Sequence, residues 1–254
     1  MPDDHPTHPT PRQTAGHSPA ISPMPISRDA ADILLVGGSF DPPTNAHTRI
    51  ATAVRAAAAD APPQHSPIWL VFVPAARSPF KPDPPEADAH RAAMLRLVAD
   101  GLPHAGVWTD ELDRAAEGAP SYWIDTLRRA RTLRPEARFS FLIGADQAAE
   151  FHRWREAHEI IQLARPLIVL REPWSDAAAL LAHLRQSGAW SDTELATWQG
   201  AMLPIPTVRG SSTEARAALA ATPRDAETLD RLLDPAVLEY IVANRLYQPR
   251  ARSD

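Results

Sequence analysis

Two segments of this 254-residue chain place chemistry-bearing side chains at the start of a helix. The first reads Gly37-Gly38-Ser39-Phe40-Asp41-Pro42-Pro43-Thr44-Asn45-Ala46-His47 and leads into an alanine-rich stretch. Two glycines let a backbone approach a ligand closely or adopt positive φ. The Asp-Pro-Pro-Thr-Asn run resists helix formation, so a helix is expected to open near Asn45 or Ala46, with Asn45 as its N-cap. His47 then falls in the first turn, where free N–H groups and the helix dipole favour an anion. The second segment, Arg209-Gly210-Ser211-Ser212-Thr213-Glu214-Ala215-Arg216, repeats the arrangement. Ser211 or Ser212 can cap its helix, hydroxyls and amides can hold phosphate, and Arg216 lies one turn on with a guanidinium suited to bidentate phosphate contacts. Each segment alone also fits a plainer role: a histidine that caps or packs, an ordinary serine N-cap. Two anion-ready helix starts in one chain point instead to a polyphosphate substrate.

Both segments need a scaffold. Apolar runs recur at Ile33–Val36, Ile68–Val73, Phe139–Ile143 and Leu167–Leu170, with weaker candidates at Val107-Trp108 and Met202–Ile205. Continuous apolar runs suit strands covered on both faces. Stretches of helical length and composition lie between or beside them, at 46–59, 86–99, 121–133 and 153–164. This alternation predicts an α/β fold, a doubly wound parallel sheet whose ligands bind at the carboxyl ends of the strands. Residues 1–30 hold seven prolines and three histidines without apolar periodicity, and are expected to form a disordered tail. Residues 31–248 are expected to form a single domain with C-terminal helices over about 211–246, and 249–254 a disordered end.

Composition narrows the function classes. With no cysteine there are no disulfides, thiolate metal sites or cysteine nucleophiles. A net charge of −5 opposes a nucleic-acid partner. No apolar run reaches the roughly 20 residues of a membrane span, and residues 1–30 lack the apolar stretch of a secretory signal. A cytoplasmic setting, with no membrane partner, is expected. Among 26 basic residues Lys81 is the only lysine. His152 and His158, six apart, fall on different helix faces, and no protein metal cage is evident.

Taken together, these residues carry a family resemblance. Segment 37–47 resembles the GGxFDPxHxGH signature of nucleotidyltransferases, in the variant with threonine at the first histidine, and 210–216 resembles their ISSTxIR signature. Val73-Pro74 through Pro79-Phe80-Lys81, Arg91 with Met94-Leu95, Ser121-Tyr122-Trp123-Ile124-Asp125-Thr126-Leu127, Ile143-Gly144-Ala145-Asp146 with Trp154, and Val237–Tyr247 are similar to segments of the bacterial nicotinate-nucleotide adenylyltransferase family. The match covers about residues 33–247, in order.

The resemblance implies a Rossmann-like nucleotidyltransferase fold with a small C-terminal helical segment. It also implies adenylyl transfer from ATP to nicotinate mononucleotide, giving nicotinate adenine dinucleotide and pyrophosphate. Both partners are anionic, so the protein must neutralise charge and align two phosphates; it supplies no nucleophile of its own. His47, Lys81 and Arg216 are the implied catalytic residues. Gly37, Gly38, Ser39, Phe40 and Thr44 would line the nucleotide with His47, and Ser211, Ser212 and Arg216 would grip its β- and γ-phosphates. Gly144 and Asp146 belong to the ATP site, Asp146 taking a ribose hydroxyl. Ser39, Lys81, Tyr122, Trp123 and Trp154 would hold the mononucleotide, with Trp154 stacked on its pyridine ring; a half-buried core tryptophan is the plainer reading of Trp154. Mg²⁺ is expected to arrive with ATP, since it keeps most of its waters and takes few protein ligands. A homodimer stays open.

Four positions depart from the family pattern. Ala46 stands for the glycine before His47, Phe80 for a histidine beside Lys81, Trp123 for the threonine of SYT, and Gly210 for the isoleucine before the Ser-Ser-Thr run, where a buried anchor is lost. Two other adenylyl-handling readings remain: a pantetheine-phosphate adenylyltransferase, which shares the TxGH form, and a nucleotide-binding sensor that has lost catalysis. A nucleic-acid-acting protein has only the shared histidine motif in its favour.

Overall fold

The apolar runs become the strands of one six-stranded sheet, parallel throughout. In the computed structural model, which describes residues 20–59, 67–76, 86–116, 121–206 and 208–248, the strands are β1 (Asp32–Gly38), β2 (Ile68–Pro74), β3 (Ala105–Val107), β4 (Arg138–Gly144), β5 (Arg165–Val169) and β6 (Met202–Leu203). Their order is β3-β2-β1-β4-β5-β6. The chain winds outward from β1 to β3, then returns to the other side of β1 at β4, which creates a switch point with a crevice at the carboxyl ends of β1 and β4.

Alternate residues of each strand feed opposite cores, as pleating requires. Ile33 and Leu35 of β1, Val71 and Val73 of β2, and Phe139, Phe141 and Ile143 of β4 join one cluster. That cluster is covered by α4 (Trp123–Leu133), α5 (Ala145–Ala149), α6 (Ala157–Leu163), α7 (Ala177–Gln186) and α8 (Asp192–Ala201). Leu34 and Val36, with Leu70 and Phe72, face α1 (Asn45–Ala59) and α2 (Asp88–Asp100) on the other side. A third cluster joins Met94 and Val98 of α2 to α9 (Ser212–Ala220), α10 (Ala226–Leu232) and α11 (Pro235–Ala243). The short helix α3 (Asp110–Ala116) follows β3. The doubly wound α/β fold and the C-terminal helices are as the sequence predicts.

The segment 20–30 departs from the expected tail. Met24 and Ala30 are buried, and Ile21 and Ile26 pack against the same cluster. The Ser22 carbonyl accepts from the Trp108 indole N–H at 2.8 Å, and its N–H donates to Asp110 Oδ1 at 3.0 Å. Arg134 donates to the carbonyls of Ile26, Ser27 and Arg28. The strap is held mainly through its backbone, which is why its proline-rich composition does not betray it.

A second departure concerns Gly210, which adopts φ of 124°. A Cβ there would stand 2.7 Å from Leu232 Cδ2 and 3.6 Å from Ala46 Cβ. Leu232 therefore fills the place of the anchor missing at 210, and the extra methyl of Ala46 shares that space. The two departures from the family pattern are neighbours in the fold.

Two outcomes are expected in thermal denaturation. A chain beginning at residue 29 should melt about 5–10 °C below one beginning at residue 20, from lost burial worth about 2–4 kcal/mol in a domain of this size. Gly210→Ala should cost about 1–3 kcal/mol, because its φ disfavours any side chain and Leu232 must move.

Candidate active site

The glycines of the first segment end β1, and Gly144 ends β4, so both flank the crevice at the switch point. Between them and the first helix, the loop is bent by Phe40, which adopts φ of 48°. Its ring is buried, edge-on to Phe72 at 5.9 Å and to His47 at 5.2 Å, and it occupies the space beside Gly38 where a Cβ would meet it at 3.1 Å. Phe40 thus offers only its backbone to a ligand.

Helix α1 opens at Asn45, within the expected start, but its cap lies one residue earlier. The Thr44 carbonyl accepts from the His47 N–H at 2.9 Å, which makes Thr44 the N-cap, and Asn45 instead donates its side-chain amide to the Arg231 carbonyl at 3.1 Å. His47 is then the third helical residue. Its Nδ1 reaches back to accept the Thr44 N–H at 2.9 Å, the return half of a capping box usually made by a carboxylate or amide. An Nδ1 that accepts a backbone N–H carries a lone pair, so the ring proton sits on Nε2, on the edge away from Thr44. The Thr44 hydroxyl also lies 2.8 Å from Nδ1 and is buried. Expected as a phosphate contact, Thr44 here orients the imidazole.

The second helix start is joined to the same loop. Ser211 caps α9 by accepting the Glu214 N–H at 3.1 Å, and Ser212 Oγ donates to the Pro42 carbonyl at 2.9 Å. Arg216 Nη1 donates to the Asp41 carbonyl at 2.6 Å and lies 3.6 Å from its carboxylate. Asp41 is buried and also accepts from the Glu86 N–H (3.1 Å) and the Tyr247 hydroxyl (2.8 Å). Burial, together with the Asp41 charge, raises the Tyr247 phenol far above its ordinary range, so it stays a donor. The first turns of α1 and α9, some 170 residues apart in sequence, thus meet across one loop.

Behind that loop sits Arg91, fully buried. Its guanidinium donates to the carbonyls of Ser39 (2.7 Å), Ala75 (2.8 Å) and Glu86 (3.1 Å), and pairs with Asp88 at 2.5 Å.

On the other side of the crevice, Trp123 opens α4. Its ring lies where a Cβ on Gly37 would meet Cζ3 at 3.0 Å, and it stands edge-on to Phe141. The bulk that replaces the family's threonine therefore sits directly beside the end of β1. Tyr122 is exposed, with the Arg155 guanidinium 4.7 Å above its ring. The start of α4 is tied down by Thr126, which donates to Glu111 at 2.6 Å and accepts from Arg114 at 2.9 Å. Burial pushes the Glu111 carboxyl up, against the opposing pull of Thr126. Trp154 is half-buried and follows a short 3₁₀ turn, Phe151–Arg153. Phe151 backs its indole, 4.7 Å between centroids at 26°.

Asp146, at the start of α5, is held by Arg171, a residue the sequence reading passed over. Its position is itself a signal, since Arg171 directly follows the run Leu167–Leu170, at the carboxyl end of a strand. Tyr247 and Asp41 stand in the motif segments, where the sequence alone gives them no role. Lys81 and Phe80 lie outside the described residues. Among the described residues no group of three or more His, Asp or Glu side chains is placed to hold a metal ion. No described helix is long and apolar enough to cross a membrane.

Comparison with known proteins places the chain in a family. The sequence model of the cytidylyltransferase-like family matches residues 35–218. A protein of Chromobacterium violaceum named as a probable nicotinate-nucleotide adenylyltransferase is 34% identical over 227 residues, covering 86% of this chain and 99% of its own length. A Bordetella petrii protein of the same name is 35% identical over 84% of this chain and 97% of itself. Among solved structures, the Plasmodium falciparum nicotinic acid mononucleotide adenylyltransferase complexed with NaAD superposes with a TM-score of 0.61 at 19% identity, covering 85% of this chain and 97% of that one, which speaks for the fold. The chain belongs to the cytidylyltransferase-like family, in the group of the nicotinate-nucleotide adenylyltransferases.

Proposed function

We propose that this chain transfers the adenylyl group of ATP to nicotinate mononucleotide, releasing pyrophosphate and forming nicotinate adenine dinucleotide, a step of NAD synthesis. A phosphate oxygen of the mononucleotide forms a bond to the α-phosphorus of ATP, and the bond from that phosphorus to the β-bridging oxygen breaks. The observation that carries the reading is the oriented His47: its Nε2–H is fixed by Thr44 at the first turn of one helix, and a second helix start carrying Arg216 is docked on the same loop. Relatives of the same name, aligned over nearly their whole length, support it.

In this reading His47 donates to the α-phosphate as charge accumulates in the transition state, a role that needs a proton on Nε2. The α9 N–H groups and Arg216 receive the β- and γ-phosphates. Arg216 exchanges its Asp41 carbonyl contact for phosphate oxygens, and Asp41 remains held by Tyr247 and Glu86. The backbone at Gly37, Gly38 and Ser39 lies along the nucleotide, and Gly144 and Asp146 take its ribose side. Trp154 stacks on the pyridine ring, braced by Phe151 from behind. Tyr122 and Trp123 frame the acceptor, and Lys81 keeps the phosphate role that the family resemblance gives it. Mg²⁺ would arrive bound to the triphosphate and would supply charge screening there. The cytoplasm, with its ATP supply, is the setting we infer.

Pyrophosphate release should be seen with Mg²⁺-ATP and nicotinate mononucleotide. Release only with nicotinamide mononucleotide or phosphopantetheine would keep the chemistry and overturn the acceptor. ATP binding with no release from any of the three would point to a sensor. His47→Ala should lower kcat by about 10²–10³ with little change in ATP affinity. Collapse of ATP binding with turnover of bound substrate preserved would refute its transition-state role.

A further inference from the structure

Strand register brings Asp146 and Arg171 together. Gly144 of β4 pairs with Val169 of β5, and each of the two charged residues lies two positions beyond its member of that pair. Both therefore leave the sheet side by side at the carboxyl edge, next to the crevice. The contact is bidentate: Arg171 Nε donates to Asp146 Oδ1 at 2.8 Å and Nη2 donates to Oδ2 at 2.9 Å, with Nη2 also 2.7 Å from Oδ1. Contacts to both oxygens fix the plane of a carboxylate, which one bond cannot do.

The arginine is itself placed by two further features. Its backbone closes a short bridged turn with Trp174, donating at 3.2 Å and accepting at 2.7 Å. Its guanidinium lies over Gly144, where a Cβ would stand 3.0 Å from both Cζ and Nε and 2.6 Å from Asp146 Oδ1. Gly144 is thus the glycine that admits the ion pair. Both side chains are part-exposed, at 53% for Arg171 and 34% for Asp146, so their attraction adds little to folding stability. A well-formed fork of small stability value at the edge of a nucleotide crevice suits a role in recognition.

We propose that Arg171 is a positioning residue that orients Asp146 to accept a hydrogen bond from a ribose hydroxyl of ATP. The inference rests on the reading of Asp146 as the ribose contact. A carboxylate has about four acceptor positions, and the fork takes two. The remaining two point away from the guanidinium, and one of them meets the hydroxyl. Freed of Arg171, the carboxylate rotates and the hydroxyl loses its fixed acceptor.

The test is equilibrium binding of Mg²⁺-ATP and its 2′-deoxy and 3′-deoxy analogues to the full chain, by calorimetry and without the second substrate. The wild type should bind ATP about tenfold more tightly than one of the deoxy analogues, the worth of one charge-assisted hydrogen bond. Arg171→Ala should erase that preference while its melting temperature stays unchanged, as should Asp146→Ala. Arg171→Lys, which restores charge without the fork, should recover only part of it. Equal weakening of ATP and both analogues in Arg171→Ala would assign the arginine to general phosphate attraction and overturn the proposal, as would an intact preference. A preference that survives Asp146→Ala overturns it too, through the assignment of Asp146. Pyrophosphate release by the wild type with nicotinate mononucleotide would then still uphold the reaction.

Discussion

The buried guanidinium of Arg91 is the constraint on which the site depends. Three carbonyls converge on it, from the loop after β1, the end of β2 and the entry to α2, and each would otherwise be a polar group short of a partner in the interior. Only arginine brings this many donors in a rigid plane, and it cannot escape the burial by losing its proton. The cation turns three irregular backbone segments into one surface. The positive φ of Phe40 and the buried Asp41 and Thr44 come directly after Ser39, whose carbonyl the guanidinium holds.

On this base the fold brings together two helix starts that have no sequence proximity. Each start is modest alone: a few free N–H groups and half a charge of dipole. In the proposed reaction the two together face the triphosphate. The convergence is made by Ser212 on the Pro42 carbonyl and by Arg216 on the Asp41 carbonyl, with the Asp41 carboxylate 3.6 Å from the same guanidinium.

Much of this was legible in the sequence. Strands buried on both faces write themselves as apolar runs, and Ile33–Val36, Phe139–Ile143 and the weaker runs at 107 and 202 all mark true strands. The placing of His47 and Arg216 at helix starts could be read from residue type and spacing. Three things could not. The tautomer of His47 depends on a backbone N–H three residues earlier, and the rule that asparagine caps a helix pointed to the wrong residue. The strap 20–30 is fastened by carbonyls, which every residue owns, so composition is blind to it. The partnership of Asp146 and Arg171 is set by strand register, a relation between segments that no local pattern records. Ala46, which adds a methyl, and Gly210, which loses an anchor, are separate in sequence, yet the fold makes them neighbours.

The Tyr247–Asp41 hydrogen bond spans 206 residues and links the C-terminal helices to the first loop. Protein synthesis runs in one direction, at about 5–20 residues per second. A nascent chain that has emerged through β6 already possesses every strand, yet its cradle lacks α9, Arg216 and the clasp on Asp41. The loop after β1 therefore acquires its last partners only once the helices after β6 have been added.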